Sequence, residues 1–202
     1  MTRPHRFRLA VWMLALALPI TGGQTAMSAE SENTIKPPPE TYDVPLRFGS
    51  HAFAAFCYNT LSCSVVYNDH QFTRYAVGKL MSGPSSPRYK EAWGFGGYLG
   101  IENFPLPAEV KWTSLDGITH EAKVDMARVF NDQLIWHTVP KPDMADFYSG
   151  PVAGEPNIYL EVNDHTINVY MMMLVPTRTE QIPGNKRSYA RDDMFLVWTR
   201  TY

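Results

Sequence analysis

The chain has 202 residues, a formal net charge of −2 and two cysteines. This length suits one domain of ordinary size that can bury a hydrophobic core. The slightly acidic balance argues against binding to nucleic acid or to anionic membrane surfaces, because both reward clustered lysine and arginine.

Residues 1–29 have the pattern of a secretory signal peptide. Three arginines precede an apolar run over residues 9–20, and small residues follow as far as Ala29. The run is shorter than the roughly twenty residues that span a bilayer, which argues against a membrane anchor. No cysteine follows it to accept a lipid. We expect cleavage near Ala29, with Ala26 as the alternative, and release into the periplasm with a formal charge of about −5, which suits a basic protein partner.

The sequence predicts a flexible, proline-rich leader over residues 30–41, since they include three consecutive prolines and few apolar side chains. From residue 42 to residue 202, β-branched and aromatic residues alternate with polar ones in short runs that are bounded by turn residues. This pattern predicts a single, mainly β domain, an antiparallel β-sandwich built from successive hairpins with little helix.

The first predicted strands cover residues 44–48, 52–58, 62–67 and 72–81. Cys57 and Cys63 lie on either side of a turn at Asn59 and Thr60. In an oxidising compartment this spacing favours a disulfide across a hairpin end, although two buried thiols are the alternative. Closing such a small ring stabilises a chain by about 2 to 2.5 kcal/mol on the loop-entropy model.

The glycine-rich stretch at residues 94–100 lacks the spacing of a phosphate-binding loop, and no helical pattern follows it. A glycine-rich strand or bulge beside aromatic packing is the better interpretation.

Two hairpins and a final strand complete the predicted fold. The first hairpin joins residues 108–113 to 118–124 through a turn at Asp116 and Gly117, and one helical turn follows at 125–130. The second joins residues 158–162 to 166–175, and residues 194–198 form the last strand. The run Met171 to Met173 is more typical of a strand covered on both faces than of a metal site, because consecutive strand residues point to opposite faces.

No catalytic, metal-binding or cofactor-binding signature emerges. The G-x-S-x-G motif of hydrolases is absent, and Ser50 and His51 are strand neighbours that point apart. The histidines after the signal lie on different predicted elements without a short ligand spacing, namely His51, His70, His120, His137 and His165. We therefore expect no metal and no cofactor, although a carboxylate pair for glycoside cleavage depends on the fold and stays open.

Long loops at residues 139–155 and 177–193 are candidates for function. Within the first, Asp143, Asp146, Phe147 and Tyr148 combine large aromatic anchors with acidic neighbours, a combination that suits a protein interface. We predict that these four residues bind a partner. The alternative is that Phe147 pins the loop to the core.

The central segment resembles a known pattern. Trp93 and Gly94, then residues 105–114 (PLPAEVKWTS) and residues 119–125 (THEAKVD), are similar to exported bacterial domain families of unknown function that include immunity proteins against type VI secretion phospholipase effectors. The resemblance implies a periplasmic protein that binds a cognate toxin, a lipase, and is not an enzyme. A secreted carbohydrate- or envelope-binding β-sandwich is the alternative function, and an exported hydrolase comes third.

Overall fold

The computed structural model describes residues 31–95, 97–145 and 154–202. In chain order, its strands are β1 (Ser31–Thr34), β2 (Ser50–Tyr58), β3 (Thr60–Tyr67), β4 (His70–Gln71), β5 (Tyr98–Glu102), β6 (Ala108–Ser114), β7 (Thr119–Val124), β8 (Asn157–Asn163), β9 (Thr166–Met172), β10 (Val175–Pro176), β11 (Ala190–Arg191) and β12 (Met194–Thr201). The helices are α1 (Pro39–Asp43) and α2 (Met126–Val129), with 3-10 helices at Arg74–Ala76 and Tyr89–Trp93.

The protein is mainly β and forms a sandwich of largely antiparallel sheets, which confirms the predicted fold class. One sheet has six strands in the order β1-β12-β9-β8-β2-β5, a second has four in the order β4-β3-β6-β7, and β10 pairs with β11 in a separate two-stranded sheet. The predicted hairpins β6–β7 and β8–β9 are both present. Among the strands of the described residues, the exception to antiparallel pairing is β2 with β8, which run parallel from Ala52 opposite Asn157 to Tyr58 opposite Asn163.

The main core lies between the six-stranded and the four-stranded sheet and follows the strand alternation. On β2, Phe53, Ala55 and Cys57 point into the core, and on β8 the inward residues are Ile158, Leu160 and Val162. The intervening residues of these strands point to the outer face of the six-stranded sheet. The methionine run behaves as predicted, because Met171 belongs to the main core while Met172 is buried on the outer face.

The chain changes sheets at the sharp corner between β2 and β3. The predicted disulfide between Cys57 and Cys63 is present, with a Cα to Cα distance of 6.3 Å. Both cysteines are buried. Asn59 has a φ of 51° and makes the turn itself. The disulfide therefore links the two sheets where the chain crosses between them.

The glycine-rich stretch also matches its prediction, since it leads into the edge strand β5, whose pairing with β2 shifts register between His51 and Phe53. Gly97 has a φ of 144° and passes so close to β2 that a Cβ would lie 2.4 Å from the Phe53 carbonyl oxygen. Only glycine allows this close approach.

Two predicted strands are wrong. Within residues 72–81 the chain forms a 3-10 turn, because the Thr73 side chain takes over the pairing with β3: its hydroxyl accepts a hydrogen bond from the Val65 amide at 2.8 Å and donates to the Cys63 carbonyl at 3.2 Å. Residues 44–48 make only an isolated bridge, between Arg47 and Leu134.

The segment expected as a flexible leader, residues 30–41, contains secondary structure. Ser31–Thr34 pairs with β12, from Ser31 opposite Thr201 to Thr34 opposite Trp198, and α1 starts after Pro38. Backbone pairing explains this difference, because a polar strand can add to a sheet edge without apolar side chains of its own.

Candidate functional site

The outer face of the six-stranded sheet carries a second hydrophobic cluster, separate from the main core. Its buried members are Tyr159 on β8 with Tyr170 and Met172 on β9. An outer face of a sandwich is normally solvated, so these large side chains need a cover. The cover is residues 89–95, which we call the cover segment; it comprises the 3-10 helix Tyr89–Trp93, Gly94 and Phe95.

Trp93 anchors the cover segment on the sheet. Its indole stacks on the Phe56 ring, with centroids 4.5 Å apart and planes at 8°. The indole Nε1–H donates a hydrogen bond to the Tyr58 hydroxyl at 3.0 Å. The Tyr159 hydroxyl in turn donates to the Gly94 carbonyl at 2.6 Å. These contacts pair the polar groups of Trp93, Tyr58 and Tyr159 while the aromatic rings of the cluster pack together.

A buried carboxylate lies beneath the cover segment. Glu161 on β8 is 1% exposed, and it accepts hydrogen bonds from the Asn168 amide at 2.9 Å, from the Tyr170 hydroxyl at 3.2 Å and from the Tyr89 hydroxyl. A buried carboxylate requires such donors. Burial, with the Glu161 charge adding to it, raises the pKa values of Tyr89 and Tyr170 well above their ordinary range. Both hydroxyls therefore stay protonated and keep donating.

Beside the cover segment a groove of about 510 Å³ opens along β9 and β12. Its floor is apolar and consists of Tyr170, Met172, Met194 and Leu196. Phe95 forms part of its wall and is 54% exposed. Methionine side chains adapt to different shapes, so a floor of this kind can receive an apolar side chain from a partner.

The rim of the groove is charged. The Lys90 ammonium lies over the rings of Tyr89 and Tyr170, 4.5 and 5.0 Å from their centroids. Glu91 is held by both nitrogens of the Arg88 fork, at 2.7 and 2.8 Å. An apolar floor with a polar rim is the usual anatomy of a protein interface.

In the predicted partner-binding loop, Asp143 makes hydrogen bonds within the protein itself. The Asp143 carboxylate accepts hydrogen bonds from the Thr179 backbone amide at 3.0 Å, the Thr179 hydroxyl at 2.6 Å and the Gln181 side-chain amide at 3.2 Å. The hydrogen bond from the Thr179 hydroxyl is the main reason that the pKa of Asp143 is lowered. Asp143 thus ties its loop to residues 177–181. Asp146, Phe147 and Tyr148 lie outside the described residues.

The fold brings together two histidines that the sequence places on separate elements. His120 and His165 meet at the end of the sandwich where two hairpin turns converge, with ring centroids 5.4 Å apart. His120 Nε2 is 3.0 Å from the Ser114 hydroxyl, which also donates to Asp116 at 2.5 Å. Because Ser114 is fully buried, a substrate does not reach its hydroxyl, and the cluster serves to join the turns.

Sequence reasoning missed the outer-face cluster. The signals were present: Tyr159 and Glu161 alternate with apolar residues in β8, and Tyr89 and Trp93 are four residues apart. Within the three described stretches, no group of three or more His, Cys, Asp or Glu side chains is placed to hold a metal ion. In the same stretches, no helix is long and apolar enough to cross a membrane.

No protein-family model, no curated protein and no solved structure matches the chain.

Proposed function

We propose that the protein is a periplasmic immunity protein that binds a type VI secretion antibacterial effector, a phospholipase, and blocks its substrate entrance. The observation that carries the proposal is the apolar groove on the outer face, with Phe95 exposed in its wall and methionines on its floor. Such a groove can bind a partner's anchor residue without any chemistry of its own.

The resemblance supports the same proposal through a residue of the site. Trp93 begins the segment that resembles exported immunity-protein families, and Trp93 also fixes the cover segment through its stack on Phe56. One of the residues on which the resemblance rests therefore shapes the wall of the groove.

Two features that point to export also support the immunity proposal. The signal pattern at residues 1–29 directs the chain out of the cytoplasm, and a buried disulfide between Cys57 and Cys63 is typical of proteins that fold in an oxidising compartment. An effector that attacks the envelope from outside acts in that compartment.

Immunity requires tight binding. Sub-nanomolar inhibition corresponds to about 12 kcal/mol or more, which an interface of standard size reaches when a few buried anchors dominate. The groove supplies a site for one anchor. The acidic mature chain, with its formal charge of about −5, favours fast association with a basic effector.

A carbohydrate- or envelope-binding module is the second candidate, favoured by the exposed ring of Phe95, which follows the half-buried Trp93 by two residues. Sugars stack on flat aromatic faces. A rise in melting temperature with envelope oligosaccharides, together with no effect on any phospholipase, would support this candidate.

The immunity proposal is tested by survival. A phospholipase effector encoded beside this protein's gene is directed to the periplasm of a susceptible host, with and without the full chain. We expect the wild-type chain to restore growth and Phe95→Glu to fail. Ile118→Glu is the matched control, because Ile118 is also 54% exposed but lies at the β6–β7 turn. Growth that the wild-type chain does not restore would contradict the proposal.

A further inference from the structure

The sheet edges of this protein are protected to different degrees. On β7, one edge of the four-stranded sheet, Glu121 pairs with Lys111 at 2.6 Å and Lys123 pairs with Glu109 at 3.1 Å. On β1, an edge of the six-stranded sheet, the sequence Ser31–Thr34 is entirely polar. Charged and polar side chains of this kind are the usual protection of an edge against pairing with another chain.

The opposite edge of the six-stranded sheet has less of this protection. It is β5, where Tyr98 is 48% exposed and Leu99 is 65% exposed. Gly100 lies between these residues and the buried Ile101, and a Cβ at Gly100 would meet nothing within 4 Å. This five-residue edge therefore presents exposed apolar side chains, and its one charged residue is Glu102.

The Glu102 part of the free edge is accessible to backbone pairing, whereas the Gly100 amide is already bonded to the Glu155 carboxylate. The Asn103 amide donates to the Gly49 carbonyl at 2.9 Å, and His51 lies opposite Ile101 in the ladder. Asn103 and Gly49 form a hydrogen-bonded pair, and so do Ile101 and His51, because bonded and non-bonded pairs alternate along antiparallel strands. Glu102 lies between these two pairs, and its amide and carbonyl therefore point away from β2.

The charges beside this edge are negative. Glu102 is exposed, and within the described residues no cation forms an ion pair with it. The Glu155 carboxylate accepts a hydrogen bond from the Gly100 amide and likewise faces no paired cation in the described part of the chain. Two carboxylates next to exposed apolar side chains favour a partner segment that alternates apolar and basic residues.

We propose that β5 adds an extended, basic segment of a protein partner as a further strand of the six-stranded sheet. Main-chain hydrogen bonds would supply the register, and Tyr98 and Leu99 would contact the partner's apolar side chains. The inference rests on the proposed function, since it specifies how the effector is held. Phe95 connects the two surfaces, because it lies in the groove wall three residues before β5 begins.

The test uses a synthetic probe, Ac-Arg-Val-Arg-Val-Arg-NH₂, titrated into the ¹⁵N-labelled mature chain and followed by amide chemical shifts. We expect saturable shifts concentrated at residues 98–102, and Leu99→Lys should weaken binding about tenfold or more because it adds a charge to the edge. Glu102→Gln should weaken binding about threefold, as expected for one exposed ion pair. Glu121→Gln on β7 is the matched control and should change nothing.

Shifts centred on another edge, equal binding of Ac-Glu-Val-Glu-Val-Glu-NH₂ or an absence of saturable shifts would overturn the β5 inference. The effector survival assay separates this inference from the proposed function. Rescue that is lost with Phe95→Glu but retained with Leu99→Lys would keep the immunity function and reject strand addition.

Discussion

The indole of Trp93 lies parallel to the ring of Phe56, with centroids 4.5 Å apart. This one contact joins a short 3-10 helix to the outside of a β-sheet, and it decides which part of the outer face is covered and which part stays open as a groove. The buried Glu161 beneath it binds the same helix through Tyr89. Stability and the proposed binding site therefore depend on the same few residues.

Replacing Trp93 by alanine should remove the anchor of the cover segment. We expect the free energy of unfolding to fall by about 2 kcal/mol, less than for a fully buried tryptophan because Trp93 is only half-buried. Urea denaturation measures this change, and hydrogen exchange should show faster exchange at residues 89–95. Trp93→Phe keeps a ring on Phe56 and is the control. An unchanged free energy of unfolding would show that the stack contributes little.

Removing the disulfide should destabilise the protein to a limited degree. Replacing Cys57 and Cys63 together by alanine should lower the free energy of unfolding by about 2 to 2.5 kcal/mol, because the loop that they close is short. Intact mass with alkylation, before and after reduction, reports the bond itself. Two alkylatable thiols in the native, unreduced protein would contradict the structure.

Acidification should destabilise the protein through its buried histidines. His137 Nδ1 accepts a hydrogen bond from the Val139 amide at 3.2 Å, so the ring is neutral, and burial lowers its pKa below 6.5. His51 is fully buried and its pKa is also lowered by burial. As the pH falls, these two histidines therefore bind protons in the unfolded chain before they do so in the folded chain. Stability is full above the unfolded pKa of about 6.5 and falls as the pH decreases through and below that value.

Melting temperatures between about pH 7.5 and pH 5 measure this loss. His137→Gln should lower the melting temperature at the upper pH yet reduce the decrease toward the lower pH, since glutamine does not titrate. His70→Asn is the control, because His70 is exposed. A melting temperature that rises on acidification would refute this account of the histidines.

Substitutions in the loop at residues 142–150 test whether a residue contacts the effector or stabilises the fold. We predict that Tyr148→Ala weakens effector binding by about 2 kcal/mol and leaves stability nearly unchanged, as expected of an exposed anchor. Asp143→Ala should instead lower stability by about 1 to 2 kcal/mol, since it removes the hydrogen bonds that tie the loop to Thr179 and Gln181. Calorimetric binding and thermal denaturation of both variants separate these effects. A large stability loss with Tyr148→Ala would mean that the loop is pinned to the core.

The sequence was most informative where one local rule governs the structure. The Asp116–Gly117 sequence correctly predicted the turn of the β6–β7 hairpin, in which Gly117 adopts a φ of 86°. The cysteine spacing correctly predicted the disulfide, because a short turn brings both residues together. The glycine-rich stretch likewise indicated a close backbone approach, now seen at Gly97.

The rest depends on contacts that are distant in sequence. Residues 72–81 alternate like a strand, but the Thr73 hydroxyl occupies the pairing groups of β3. The parallel pairing of β2 with β8 joins segments about a hundred residues apart and carries no local signal. Glu161 appears as one polar residue in an apolar run, and only the fold places Tyr89 above it.

The most direct test of the proposed function is inhibition of the effector's phospholipase activity by the purified mature chain, residues 30–202. We predict stoichiometric inhibition at nanomolar concentrations, with Phe95→Glu shifting the inhibition curve by about a hundredfold or more and Ile118→Glu leaving it in place. Unaltered phospholipid hydrolysis in the presence of an approximately tenfold molar excess of the wild-type chain would contradict the account, since binding at nanomolar affinity would leave almost no free effector.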